Sequence, residues 1–321
     1  MRRGFAAVLV SLAILPLGAA AQATPSSRPL TIVVPYTPGT GADVIARLLA
    51  PRLAERLKMP VVVDNRPGAS SAIGTELVAK APADGHTLLF TATSHGTLPA
   101  LKRNLPYDAV KSFTPVALAA TSALSIVVSP QVNASSLAEF LALARKQPGV
   151  LHYSSPGSGS PQHLTMELIK LETGIDVVHV PYKGSAGAAS DLVGGHVQAT
   201  IAALQTMAPF VASGRLRMLA VLSNERSPAF PDVPTMKELG LPRLVVDTWY
   251  GIYAPAGTAP ATVSQLNAEV NALLQLAEVK DALAKQGMNP VVDRPERLGE
   301  LVDQELARWN RVVAAAAIRA D

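Results

Sequence analysis

The feature that most constrains this chain is an order of segments that it runs through twice. "PLTIVVPY" (29–36) is a β-branched run bounded by prolines and reads as a strand. A Pro-Gly turn follows, "YTPGTGAD" (36–43). Next comes "ADVIARLLAPRLAERLK" (42–58), in which Ile45, Leu48, Leu49, Leu53 and Leu57 recur at helical spacing. "PVVVDNRPGASS" (60–71) is strand then turn, "AIGTELVAKA" (72–81) a helix, and "GHTLLFTATS" (85–94) a third strand. This β-α-β-α-β alternation predicts parallel strands joined by right-handed crossovers.

The second pass starts with the strand "LSIVVSP" (124–130) and the helix "SLAEFLALARKQ" (136–147), capped by Ser135 or Ser136. "LHYSS" (151–155) is a strand, and the turn "SSPGSGSP" (154–161) repeats the earlier phrase before the helix "PQHLTMELIKLETG" (161–174). "DVVHVPY" (176–182), "HVQATIAAL" (196–204) and "LRMLAVLS" (216–223) are strands, with the short helix "AGAASDLVGG" (186–195) between the first two. "VVDTWYGIYAPAGT" (245–258) leads into three helices over 260–275, 278–287 and 295–316. The fold class is therefore α/β with two domains. One comprises 24–122 and 249–321, the other 123–248, with strand-like crossings near 118–126 and 245–252. The C-terminal helices are expected to pack back on the first domain. Two lobes joined by two crossings enclose a cleft.

The twin turns suggest what the cleft holds. Gly39 and Gly41, like Gly157 and Gly159, let a ligand approach the backbone closely. Thr40 with Asp43 fits a capping box; Ser160 fits an N-cap with Pro161 at the first helical position. Each helix N-terminus offers unpaired amides and a positive dipole end, which suits an anion. Either turn taken singly is also what a capped helix needs with no ligand; the matched pair favours binding. Neither turn carries Lys or Arg, no Gly-Lys-Ser/Thr occurs, and Gly39-x-Gly41-x-x-Val44 lacks the third glycine of a dinucleotide fingerprint. Hydroxyls from Thr40, Ser158 and Ser160 beside backbone amides suit a small carboxylate. Asp43 is read as ordering the first helix turn.

Catalysis and metals find little support. "KGSAG" (183–187) lacks the first glycine of a nucleophile elbow, and the six histidines show no ligand spacing. No cofactor or metal is expected. A serine hydrolase using Ser158 or Ser160 with His163 is the competing enzyme class, but it has no acid partner in the pattern. Of the 28 Lys and Arg, Arg2 and Arg3 fall in the expected signal peptide, which leaves 26 basic against 24 acidic residues, a net of +2; with 4% aromatic content, this balance argues against nucleic acid. Residues 1–23 read as a signal peptide: Arg2 and Arg3, a 13-residue apolar core, then Ala21-Gln22-Ala23 as cleavage site. There is no cysteine, hence no disulfide and no lipidated cysteine.

Taken in order, "VVPYTPGTGADVIAR", "VVVDNRPGA", "IGTELVAKAPADGHTLLF", "LPYDAVKSFTPVAL", "SSPGSGSPQHLTMELIK", "VHVPYKGSAGAASDLVGGHV", "SNERSPAFPDVPTMKELGLP" and "WYGIYAPAGT" resemble the Bug/TctC substrate-binding proteins of tripartite tricarboxylate transporters. The resemblance covers nearly the whole chain after the signal. It implies a two-domain, type II-like periplasmic binding fold that closes on a carboxylate held by backbone groups and water. By matching position it implies a ligand loop of Tyr36, Thr37, Pro38, Gly39, Thr40, Gly41, Ala42 and Asp43. It adds a strand-end loop of Thr93, Ser94 and His95. From the second domain it adds Ser155, Gly157, Ser158, Gly159, Ser160 and His163, with Tyr182, Gly184, Ser185, Ala203 and Leu204. It also implies a periplasmic monomer that serves membrane permease subunits, or alternatively a sensor partner. The chain departs from the family at Thr40, Ser70 and Ser71, where glycine is common.

Overall fold

The computed structural model describes residues 28–102, 104–182 and 184–318; the signal-peptide expectation lies outside them. The first half opens with β1 (Leu30–Val34), α1 (Gly41–Leu57), β2 (Val61–Asn65), α2 (Ala72–Ala79), β3 (Thr87–Ala92) and α3 (Ser94–Leu101). β1 pairs in parallel with β2 on one side and β3 on the other. Buried Ile45, Leu49 and Leu53 of α1 pack on Ile32, Leu88 and Phe90 of the strands, as the helical stripe predicts.

The chain then enters β4 (Phe113–Val128), a 16-residue strand. The second half adds α4 (Leu137–Lys146), β5 (His152–Ser155), α5 (Pro161–Thr173), β6 (Val178–Pro181), α6 (Ser185–Gly194), β7 (Ala199–Ala203), α7 (Leu204–Ala212) and β8 (Arg217–Val221). β5 pairs in parallel with β6 and β7. The chain returns through β9 (Asp247–Pro255), α8 (Pro260–Leu274), α9 (Ala277–Lys285), β10 (Asn289–Pro290) and α10 (Glu296–Ala315).

The strand path runs β2-β1-β3-β9-β4-β7-β5-β6. β4 belongs to both halves. From Phe113 to Ala123 it pairs antiparallel with β9, and from Leu124 onward with β7 and β8. Ala123 lies opposite Asp247, so the two passages between the halves run side by side. Here the structure corrects the sequence reading. The segment expected to begin a strand at 124 is the far end of one that starts at Phe113; β1, β2 and β3 are parallel as predicted, while β9 and β4 join the sheet antiparallel. Apolar alternation cannot distinguish a strand that changes sheets from two strands.

α10 also departs from expectation. Leu298 and Val302 pack in the first half with Trp249, but Trp309 and Val312 are buried in the core of the second half. Arg311 reaches Glu172 of α5 at 2.7 Å. The helix therefore straps both halves, where the sequence pattern assigned it to the first.

Candidate functional site

Both glycine turns open onto one cleft of about 570 Å³. Tyr36, Thr37 and Thr40 line it from the first turn; Gly157, Ser158, Gly159 and Ser160 line it from the second. Two further segments join them: Pro67 to Ser71, with Gly68, Ser70 and Ser71 at the wall, and the face of α3 that carries Ser94, Thr97, Leu98, Leu101 and Lys102.

Four helices thus direct their N-terminal ends to this space. Thr40, Ser71 and Ser160 are the N-caps of α1, α2 and α5, and Ser94 begins α3. The first-turn amides of a helix have no partner within it, and each end carries about half a positive charge. None of the described residues at the wall is acidic. Asp43, beside the cleft, is buried and already engaged: it accepts from Gly39 N–H at 2.8 Å, Arg47 Nε at 2.9 Å and Asn65 Nδ2 at 2.9 Å. Burial pushes its carboxyl pKa up, but these bonds and the Arg47 charge outweigh burial and leave it below the ordinary value.

The floor is a hydroxyl network. Tyr36 Oη lies 2.5 Å from Ser94 Oγ and 3.0 Å from Thr91 Oγ1, and accepts from Ala92 N–H at 3.1 Å. Ser94 Oγ is 3.2 Å from Ser71 Oγ. Ala69, Ser70 and Ser71 all take positive φ, 48°, 57° and 82°. This is the left-handed region, which disfavours side chains. The segment therefore places two serine hydroxyls at the wall in a conformation that suits glycine better.

The caps differ from the expected pattern. Ser160 caps α5 as predicted, accepting from His163 N–H at 3.3 Å. Thr40 makes no side-chain cap; its hydroxyl donates to Thr37 C=O at 3.1 Å, and Asp43 reaches back to Gly39 rather than to Thr40. His163 accepts from Gly159 N–H through Nδ1 at 2.9 Å and stacks on His179 at 3.8 Å. Its ring holds the glycine turn from behind, and among the described residues it bonds neither the Ser158 nor the Ser160 hydroxyl.

The remaining expected residues lie outside the wall of this cleft. Pro38, Gly39, Gly41, Ala42 and Asp43 support the first turn without reaching the wall. Thr93 is buried and accepts from Trp249 N–H at 3.0 Å. His95, expected in a strand-end loop, lies in α3 and turns inward, stacked on Tyr253 with Nε2 2.8 Å from Ala109 C=O. Burial pushes its pKa down to about 4. Ser155 is buried, 2.6 Å from His179 Nε2. Tyr182 donates to Asp191 at 2.5 Å. Ser185 and Ala203 border a separate crevice of about 40 Å³ with Pro156, Leu204 borders a third space, and Gly184 lines neither. The predicted site omits the 67–71 segment, whose Ser70 and Ser71 enter the sequence reading only as departures from the family, the α3 residues Thr97, Leu98, Leu101 and Lys102, and the flanking Pro35, Pro156 and Pro161, all at the wall, as well as Asn65 behind it.

Comparison with known proteins identifies the family and the fold. The family profile described as tripartite tricarboxylate transporter family receptor (TctC) matches residues 45–318. Protein BugT of Bordetella pertussis is 38% identical over 98% of this chain and 97% of its own. A TctC solute binding protein from Polaromonas superposes with a TM-score of 0.81 at 30% identity, covering 91% of this chain and all of that one. The structure of R. palustris Rpa4515 with adipate superposes at 0.76 and 36% identity, covering 92% of this chain and 99% of that one. The fold is that of periplasmic solute-binding proteins, and the chain belongs to the tripartite tricarboxylate transporter receptor family.

Proposed function

We propose that this protein is a periplasmic, non-catalytic receptor that captures a small organic acid in the cleft and hands it to the membrane permease subunits of a tripartite tricarboxylate transporter. The observation that carries this reading is the meeting of four helix N-termini on a space whose described wall has no acid. A carboxylate there would accept from peptide amides and hydroxyls whose positions are already fixed. Each helix end contributes roughly 0.3–2 kcal/mol to holding an anion. Four of them, with hydroxyl bonds, support affinity of about micromolar order, near −8 kcal/mol. The adipate held by the R. palustris relative is a diacid and agrees with this class.

Binding is proposed to close the halves about the passages at Ala123 and Asp247, bringing the Gly157–Ser160 turn onto a ligand seated against the first half. The domain division is then 24–122 with 249–321 against 123–248, with α10 bracing both. The protein acts as a monomer and needs no metal or cofactor in this role. Among the described residues no helix is long and apolar enough to cross a membrane.

The test is a thermal-shift panel of mono-, di- and tricarboxylates, aromatic acids, neutral sugars and amines. A binder raises the melting temperature in proportion to RT ln(1 + [L]/Kd). Stabilisation by an acid, lost in Ser160→Pro but retained in a distant surface variant, is the expected outcome. Stabilisation by sugars or amines alone would refute the reading.

A further inference from the structure

One face of α3 runs along the cleft. Thr97, Leu98 and Leu101 follow Ser94 at intervals of three, four and seven residues, which places them on a single helical stripe, and Lys102, the extended C-cap of α3 (φ −119°, ψ 111°), continues it along the cleft wall. The stripe is graded. Its N-terminal end joins the hydroxyl network of Ser71, Ser94 and Tyr36. Its middle is apolar, Leu98 and Leu101. Its C-terminal end is Lys102, whose ammonium has no carboxylate within 4 Å among the described residues. Lys102 is also the single charged residue among those described at the wall. From Ser94 to Lys102 the helix rises roughly 12 Å. The Lys102 end adjoins the second half, because a Cβ on Gly159 would lie 3.0 Å from Leu101 Cδ1.

We infer that Lys102 selects a second anionic group on the ligand, so that the cleft prefers an acid with two negative ends joined by an apolar spacer over the matching monoacid. This rests on the carboxylate reading above and adds to it a position and a rule. One carboxylate seats on the hydroxyl floor where α1, α2 and α3 begin. The spacer lies on Leu98 and Leu101. The far carboxylate meets Lys102 from one half and the α5 N-terminus from the other, so closure completes the second anion site. An unpaired ammonium at the edge of an apolar stripe is a poor neighbour for a neutral chain end and a good one for a carboxylate.

Isothermal titration of the full protein with suberate and with octanoate tests this. Charge-assisted bonds are worth roughly ten- to a hundredfold in affinity, and the wild type should prefer suberate by about that factor. Lys102→Met keeps the methylene stem and removes the charge. It should abolish the preference chiefly by weakening suberate, while octanoate binds as before or somewhat more tightly, and Lys102→Arg should restore most of it. Added salt should weaken suberate more than octanoate in the wild type and equally in Lys102→Met. A diacid preference that survives Lys102→Met, or equal binding of both acids by the wild type, overturns the role of Lys102 while leaving the carboxylate reading intact. Failure of both acids alongside binding of a neutral solute overturns both.

Discussion

Asp43→Asn probes the support of the cleft with the smallest change of shape. The carboxylate is 4% exposed at its side chain and accepts from Gly39 N–H, Arg47 Nε and Asn65 Nδ2, all within 2.9 Å. Asn65 Nδ2 also donates to Tyr36 C=O at 3.2 Å, so the carboxylate ties the first turn to β2. The Arg47 bond lies at a half-exposed guanidinium and contributes little. The other two are bonds to a charged, buried acceptor, and an amide in its place turns one donor toward donors. The expected loss is about 2–3 kcal/mol at neutral pH, read as a lower urea midpoint followed by tryptophan fluorescence. The pH dependence has a definite sign. The folded carboxyl pKa lies below the ordinary value of 3.8, so its contribution is full above that value and is lost as pH falls through the folded one. The gap between wild type and Asp43→Asn should therefore stay constant from about pH 7 to 5 and narrow below about 4. Equal midpoints at neutral pH, or a gap that does not narrow in acid, would refute the account of the turn.

Three further outcomes follow from named positions. Ser70 holds φ 57°, so Ser70→Gly should raise stability by roughly 1 kcal/mol while weakening acid binding through the lost wall hydroxyl; a calorimetric scan with and without ligand separates the two. Burial, then the charges of His163 and Lys170, pushes His179 down to about 4. Stability should thus fall as pH drops from about 6.5 toward 4, and His179→Phe, which keeps the ring, should flatten that slope in a series of urea midpoints. Burial pushes Glu305 up to about 7 from 4.5, although it accepts from Trp249 Nε1 at 2.8 Å. A carboxyl raised in this way destabilises as pH rises through that window, so Glu305→Gln, which keeps the acceptor, should gain up to about 3 kcal/mol at pH 8 and nothing near pH 4.

Much of the frame was legible because local signals agreed with the fold. The α1 stripe, the β-branched strands and the Ser160-Pro161 start of α5 each required no distant partner. The wall of the cleft was less legible, and α3 shows why. "SHGTLPAL" contains Gly96 and Pro99, and its propensity points away from a helix. Packing overrides it: a Cβ at Gly96 would sit 2.6 Å from Glu305 Oε2 and 3.3 Å from Glu305 Cβ, so glycine lets α3 lie against α10 without displacing that buried side chain. With α3 unread, the stripe that ends in Lys102 had no periodicity to belong to. His95 was assigned to a loop facing the ligand, when the helix turns it inward.

The repeated Pro-Gly phrase misled in another respect. It suggests two equivalent halves with one helix tip each. Yet α1, α2 and α3 all begin at the cleft from the first half, and α5 alone from the second. The two turns are also held by different means. A buried carboxylate grips the first through Gly39 N–H, and a neutral imidazole grips the second through Gly159 N–H. Similar sequences fix the path of the backbone around glycine. What sits behind each turn is set by residues four positions on, Asp43 and His163, and by their own partners elsewhere in the chain. The first turn should therefore loosen only when a carboxylate takes up a proton, the second already when an imidazole does, so that the two sides of one cleft answer to different acidity.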